Sequence, residues 1–264
     1  MSIQQNDMNP KNRVFGNCMY FGPFPNTDNI YCETLPGDVA LQNLLDLLGG
    51  NPWTIECWFV SQFDNIIDGN QRTNIFGNRL VGQTGGAGPS ILWRTQNKSI
   101  QVAFSDNTNG SEKAIRWDLA QTAPEGIIHC VVTSNGSGEL TTGNLDIVIN
   151  GIRMPDVEGS VAPNLALSSG VPTSGTYHVG LFQGQIDGRA NPDRVNVIRI
   201  YDKVLSYEEI QDSFNDPSKT HSGLFRDWDF ANHTGTTVPE LVTGTQIMNV
   251  TTLGSAPTNP AFDS

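Results

Sequence analysis

At 264 residues the chain is long enough to bury a full hydrophobic core as one domain. Its formal charge of −12, with no cluster of Lys or Arg, would repel a phosphate backbone, which sets nucleic acid aside as a partner. Only 16% of residues are charged while Gly numbers 27 and Pro 15, the composition of short strands joined by many turns.

Residues 1–14 are polar and read as an N-terminal arm. The opening MSIQQNDMNPKNR lacks the apolar centre of a signal peptide, and no run approaches the ~18 apolar residues of a membrane span, so a soluble chain without membrane insertion is expected. The body is predicted over 15–253, with a tail over 254–264. Strand-like runs follow the arm at Cys18 to Phe21, Ile30 to Leu35, Trp53 to Ser61, Arg79 to Gly82, Ser90 to Arg94 and Ile100 to Ser105. Others lie at Ala114 to Leu119, Ile127 to Ser134, Leu145 to Asn150, Tyr177 to Phe182, Val195 to Tyr201, Gly223 to Phe230 and Gln246 to Asn249. Between them stand NPW, DGN, GGAGP, NTNGS, SNGSG and ANPD, all turn chemistry.

Helix signals are few. Val39 to Leu48 has helical spacing and a glycine stop at Gly49 and Gly50. In NVIRIYDKVLSYEEI a β-branched strand runs directly into Ser206 and Glu209, the spacing of a capping box. Ile198, Ile200, Val204 and Leu205 are expected at or near the core. Many short strands with two short helices predict an all-β sandwich of jelly-roll type, built from two antiparallel sheets. In WTIECWFVS, alternation places Trp53, Ile55, Cys57 and Phe59 on one face and Thr54, Glu56, Trp58 and Val60 on the other. With aromatics on both sides, this strand belongs in mid-sheet, its outer face covered or used for binding.

Four segments in order resemble the laminin-G-like, or concanavalin A-like lectin/glucanase, jelly rolls of the pentraxin-related kind. CMYFGPFPNTDNIYCETL is similar to that family's opening hairpin, TIECWF to its long sheet strand, IIHCVVTSNGSGELTTGNLDIVINGI to its His-bearing hairpin, and VIRIYDKVLSYEEI to its closing strand and helix turn. The resemblance implies a recognition or adhesion module with glycan or a protein surface as partner. It departs from the family just before Arg199, where Val195, Asn196 and Val197 replace an Ile-Asp-Glu triplet and RANPDR is inserted after GQIDG. That insertion bears on any calcium site inherited there.

The residues themselves offer no catalytic machinery. Glycosidases on such a fold alternate carboxylates along one strand, and here no Glu is followed two positions later by Asp. His129, His178, His221 and His233 lack metal-ligand spacing, and no GxSxG elbow occurs. Cys18, Cys32, Cys57 and Cys130 show no CxxC spacing; Cys57 and Cys130 read as small buried hydrophobes, and Cys18 and Cys32 are placed to pair only if their strands are neighbours. No motif requires a cofactor. Asp187, Asn191 and Asp193 are the candidate Ca²⁺ ligands, with Asp64, Asn65, Asp68 and Asn70 a second oxygen-rich turn. Trp58, Trp93 and Trp117 are the candidate glycan-stacking residues, weighed against ordinary core packing. The expectation is a non-enzymatic module, most simply a virion component such as a phage capsid decoration, fibre or tail protein, located on a particle or outside a cell, able to contact virion subunits or its own copies. The alternatives are a secreted bacterial carbohydrate-binding module and, more remotely, a glycoside hydrolase.

Overall fold

The structure, a computed structural model, describes residues 18–20, 29–46, 49–61, 72–78, 88–94, 99–105, 112–118, 126–137, 144–154, 176–179, 194–233, 236–253 and 262–263. In chain order the strands are β1 (Cys18–Tyr20), β2 (Asn29–Thr34), β3 (Trp53–Ser61), β4 (Arg72–Gly77), β5 (Ser90–Arg94), β6 (Ser99–Ser105), β7 (Glu112–Asp118) and β8 (Gly126–Ser134). They continue as β9 (Leu145–Ile149), β10 (Ile152–Arg153), β11 (His178–Val179), β12 (Arg194–Tyr201), β13 (Leu224–Asp229), β14 (Thr237–Val238), β15 (Met248–Leu253) and β16 (Phe262–Asp263). Helix α1 (Val39–Leu45) follows β2, and α2 (Tyr207–Asn215) lies between β12 and β13.

These strands form two antiparallel sheets. The first has the order β10-β9-β8-β3-β12-β1-β16, and the second β14-β15-β2-β11-β4-β5-β6-β7. β13 shares an edge of β12 with β1, pairing Val197 to Tyr201 while β1 pairs Arg194 and Val195. The chain is thus the expected jelly-roll sandwich. Inward residues of both sheets, among them Ile55, Cys57, Phe59, Ile198 and Ile200 from the first and Cys32, Phe76, Ile91 and Ile100 from the second, make one continuous core.

Local chemistry explains the elements that matter for the site. β3 has the predicted bounds and pairs with β8 along its whole length, from Trp53 to Ser61. Between β9 and β10 the two-residue turn Asn150-Gly151 has φ of 49° and 75°, the left-handed pair of a type I′ hairpin. α1 is capped by Asp38, whose side chain accepts from the Leu41 N–H at 3.1 Å. That helix stops at Leu45, short of the expected Leu48, because Asp46 is already extended at ψ 111°.

Three differences from the sequence reading have physical causes. β4 went unrecognised because its pattern is broken by a bulge between Asn74 and Phe76, which lets the consecutive Ile75 and Phe76 both join the core. The run expected at Arg79 to Gly82 lies outside the described residues. Phe262 and Asp263, expected in the tail, pair with β1 and so extend the first sheet.

Candidate functional site

The polar residues that the fold gathers lie on the outer face of the first sheet, under α2. Thr54, Glu56 and Trp58 alternate with the core residues of β3, as His129, Val131 and Thr133 do on β8 and Arg199 and Tyr201 on β12. Sheet register makes them neighbours: Glu56 stands opposite Val131 on one side and Arg199 on the other, and Trp58 opposite His129. The segment from Asp202 to Gly223 leaves β12, crosses this face as α2 and returns as β13. Its apolar side, Leu205 and Ile210, packs on Val131, Val148 and Tyr201 as a second, smaller hydrophobic cluster.

Several bonds hold that strap down. Thr54 Oγ1 donates to the Lys203 carbonyl at 2.7 Å and accepts from the Leu205 N–H at 3.0 Å. Ser206 caps α2 in a reciprocal box, accepting from the Glu209 N–H while Glu209 Oε2 accepts from the Ser206 N–H at 2.9 Å. Lys203 Nζ ties Glu209 to Ser222 across the base of the strap, and Ser213 Oγ meets His221 Nε2 at 3.1 Å. Tyr207 and Gln211 both donate to the Gly151 carbonyl of the β9–β10 turn. Val204, expected near the core, is instead 42% exposed: Leu205 is drawn down onto Thr54, and its neighbour is turned outward.

Glu56 is the centre of what α2 covers. An ionised carboxylate can only accept, so its neighbours are the donors. His129 Nε2 and Trp58 Nε1 reach Oε1 at 3.0 and 3.2 Å, and the Tyr201 hydroxyl reaches Oε2 at 3.1 Å. Arg199 Nη1 lies 3.7 Å from Oε2. The same guanidinium donates to Asp227 Oδ2 at 3.3 Å and to the carbonyls of Pro217 and Lys219, joining the carboxylate to the far end of the strap. Burial by itself would raise the Glu56 pKa, but the hydrogen bond and attraction of His129, then Arg199 and the Tyr201 hydroxyl, hold it down at about 2. Burial raises Asp227, an effect that Arg199 only partly offsets. Arg199 itself is held protonated: burial opposes the charge, and Glu56 and Asp227 more than restore it.

Trp58 cannot serve as a sugar platform. It is fully buried, its ring stacks on His129 at 4.3 Å between centroids, and Phe214 of α2 lies parallel beyond at 6.3 Å. Trp93 and Trp117 occupy β5 and β7, where register sets both beside Ile100, a core residue, and their side chains lie outside those described. Asp187, Asn191 and Asp193 lie outside the described residues, as do Asp64, Asn65, Asp68 and Asn70. Among the described residues no group of His, Cys, Asp or Glu has the grouping of a metal site, and no helix is long and apolar enough to cross a membrane. Cys18 is on β1 of the first sheet and Cys32 on β2 of the second.

Nor does the Glu56 cluster have the geometry of general acid–base chemistry. Glu56, Trp58 and His129 have no solvent exposure, and three donors already engage the carboxylate. A glycosidase needs a second carboxylate facing the same bond; here Asp227 connects to Glu56 only through Arg199. Two further buried carboxylates are equally committed. Asp38 forms a two-pronged ion pair with Arg226 as well as capping α1. Glu240 accepts from the Thr243 hydroxyl and from the backbone N–H groups of Asp227, Val242, Thr243 and Gly244; burial opposes its charge, but the Thr243 hydroxyl first and then the Thr243, Val242 and Asp227 N–H groups outweigh it and hold the pKa below the usual carboxyl value. Sequence reasoning placed Glu56 on the outer face of its strand but singled out none of Glu56, His129 and Arg199 as a site, because the contacts join residues far apart in the chain.

No family model and no curated protein matches the chain. Among solved structures it is similar to a heptameric SAP-like pentraxin from Limulus polyphemus, at 12% identity and TM-score 0.49, over 90% of this chain and 96% of that one. It is also similar to a putative carbohydrate binding protein from Bacteroides ovatus, at 13% identity and TM-score 0.49, over 93% of this chain and 61% of that one. A third is the binding domain of botulinum neurotoxin serotype D, at 17% identity and TM-score 0.45, over 63% of this chain and 36% of that one. The chain thus spans less than two thirds of the carbohydrate binding protein and little more than a third of the neurotoxin domain chain. No residue role is carried over from any of them.

Proposed function

We propose that the chain is a non-catalytic recognition module, a rigid jelly-roll scaffold whose surface turns bind a glycan or a partner protein. One observation carries this reading: the constellation most like catalytic machinery, Glu56 with His129, Tyr201 and Arg199, is buried beneath α2, with both carboxylate oxygens of Glu56 already engaged by its neighbours. Its chemistry is spent on fastening the strap to the sheet. What remains for function is the surface, and an acidic chain without a basic cluster suits a neutral or cationic partner better than a polyanion.

The finer reading is that the module decorates a viral particle, as a capsid, fibre or tail component. It rests on the polar segments that flank the jelly roll in sequence, suited to contacting neighbouring subunits, together with a scaffold of binding type. Mixing the purified full chain with particles and sedimenting them tests it against a freestanding glycan binder. Co-sedimentation without binding on a glycan array supports the particle reading. Saturable binding to an arrayed glycan without co-sedimentation supports the carbohydrate-binding one, and turnover of any arrayed glycan contradicts both.

A further inference from the structure

Cys57 on β3 and Cys130 on β8 stand directly opposite one another in the middle of the first sheet. Both are thiols, both are fully buried, and both face the core. Two cysteines in register are unlike two cysteines merely in the same core, because the backbone ladder fixes their separation.

Which kind of pair they make follows from the neighbouring ladder. The Asn150 N–H donates to the His129 carbonyl at 2.8 Å and the Asn135 N–H to the Asn144 carbonyl at 3.0 Å, both on the β9 side of β8. Backbone groups alternate in direction along a strand, so His129 points toward β9 and Cys130 toward β3. Cys57 and Cys130 are therefore a hydrogen-bonded pair, with Cα atoms about 5.5 Å apart. That separation lies within the span of a disulfide. The Cβ atoms of such a pair stand about 5 Å apart, however, while a relaxed disulfide wants nearer 4 Å. Closing the bond draws the strands together locally and leaves it strained, hence more readily reduced than an ordinary structural disulfide.

We propose that Cys57 and Cys130 are a redox pair that closes reversibly to a strained cross-strand disulfide, stapling β3 to β8. The oxidant is a small-molecule disulfide such as oxidised glutathione. One cysteine, as thiolate, attacks it to form a mixed disulfide and expels one glutathione thiolate. The second cysteine thiolate then attacks the protein sulfur and expels the other. The two cysteines lose two electrons and two protons, and one glutathione disulfide becomes two thiols. Burial raises both thiols, Cys57 also through Cys130 and Glu56, and no reagent reaches them in the closed sandwich. Exchange therefore occurs as β3 and β8 come together during folding or open transiently, and register selects the partner.

The test refolds the full chain from urea in oxidised glutathione, traps remaining thiols under acid-quenched denaturing conditions and maps cross-linked peptides. Refolded chain should show Cys57 joined to Cys130. Chain held in urea should favour Cys18 with Cys32 instead, because that loop is about fivefold shorter and chain entropy favours it about tenfold. The Cys57–Cys130 link should open in a reduced glutathione buffer under which a relaxed structural disulfide persists. Cys32→Ala should retain the link, and Cys130→Ala should lose it. A refolded, natively folded chain without the link, a link formed equally well in urea, or one that withstands the reduced buffer would each overturn the proposal.

Discussion

Replacing Glu56 by Gln asks what the buried carboxylate does. The substitution keeps the shape of the side chain but removes the charge and converts one oxygen into a donor. If the amide nitrogen takes the Oε2 position it faces Arg199, itself a cation, across a gap that is 3.7 Å in the native chain. If it takes the Oε1 position it faces the Trp58 N–H, a donor with nothing to accept. Either way a buried group loses its partner. The depressed carboxyl gives the magnitude independently: a shift from 4.5 to about 2 corresponds to roughly 3 kcal/mol of folding stability at neutral pH. The cost of breaking a buried ion pair, about 3–5 kcal/mol, agrees, with the lower end favoured because Arg199 keeps Asp227. In urea unfolding, the midpoint of the variant should fall by roughly 1 M for a chain of this size. The sign with pH follows from the depressed pKa. Above pH 4.5 the contribution is complete, and it is lost as pH falls from there toward 2. The gap between native and variant stability should therefore be constant from pH 7 to 5 and narrow between pH 4.5 and 3. A gap below about 0.5 kcal/mol at pH 7, or one that widens on acidification, would refute the account of the cluster.

Four other substitutions probe the supports of the scaffold. Asp38→Ala removes both the α1 cap and the partner of buried Arg226, and calorimetry should register a loss of about 3 kcal/mol, well beyond the ~1 kcal/mol of a cap alone. Ser206→Ala breaks only the capping box of α2 at its exposed end, so chemical denaturation should show a loss of about 1 kcal/mol, with hydrogen exchange accelerated first over α2. Gly136→Ala places a Cβ 2.6 Å from the Gly50 carbonyl at a position with φ 77°, so thermal melts should show a destabilisation of at least ~1 kcal/mol, whereas the same change at Gly37, φ 84° with nothing nearby, should cost only the backbone strain.

The parts of this fold that were legible in sequence are those set by local chemistry. Ser206 and Glu209 announce their capping box within four residues, and β3 shows its two faces by alternation alone. Bulges hide more. At β4 and again at Asn196, between Val195 and Val197 of β12, the period of two is interrupted, and the second interruption falls where the sequence departs from the family pattern. The role of Trp58 was not legible either. A strand with aromatics on both faces implies a covered or a ligand-binding outer face, and only the path of α2, with Phe214 against that ring, decides for cover. For the same reason Glu56 looks like a lone carboxylate in sequence: His129 and Tyr201 arrive from distant strands, and register, not spacing, assembles them.

In the proposed reading the carboxylate–histidine cluster is architecture and function resides at the surface. The most direct test measures hydrolysis and binding in parallel, on one glycan panel, for the native chain and for Glu56→Gln at a temperature where both are folded by circular dichroism. Neither chain should turn over any glycan, and both should give the same binding profile. Turnover by the native chain that disappears in Glu56→Gln, with folding intact, would contradict it.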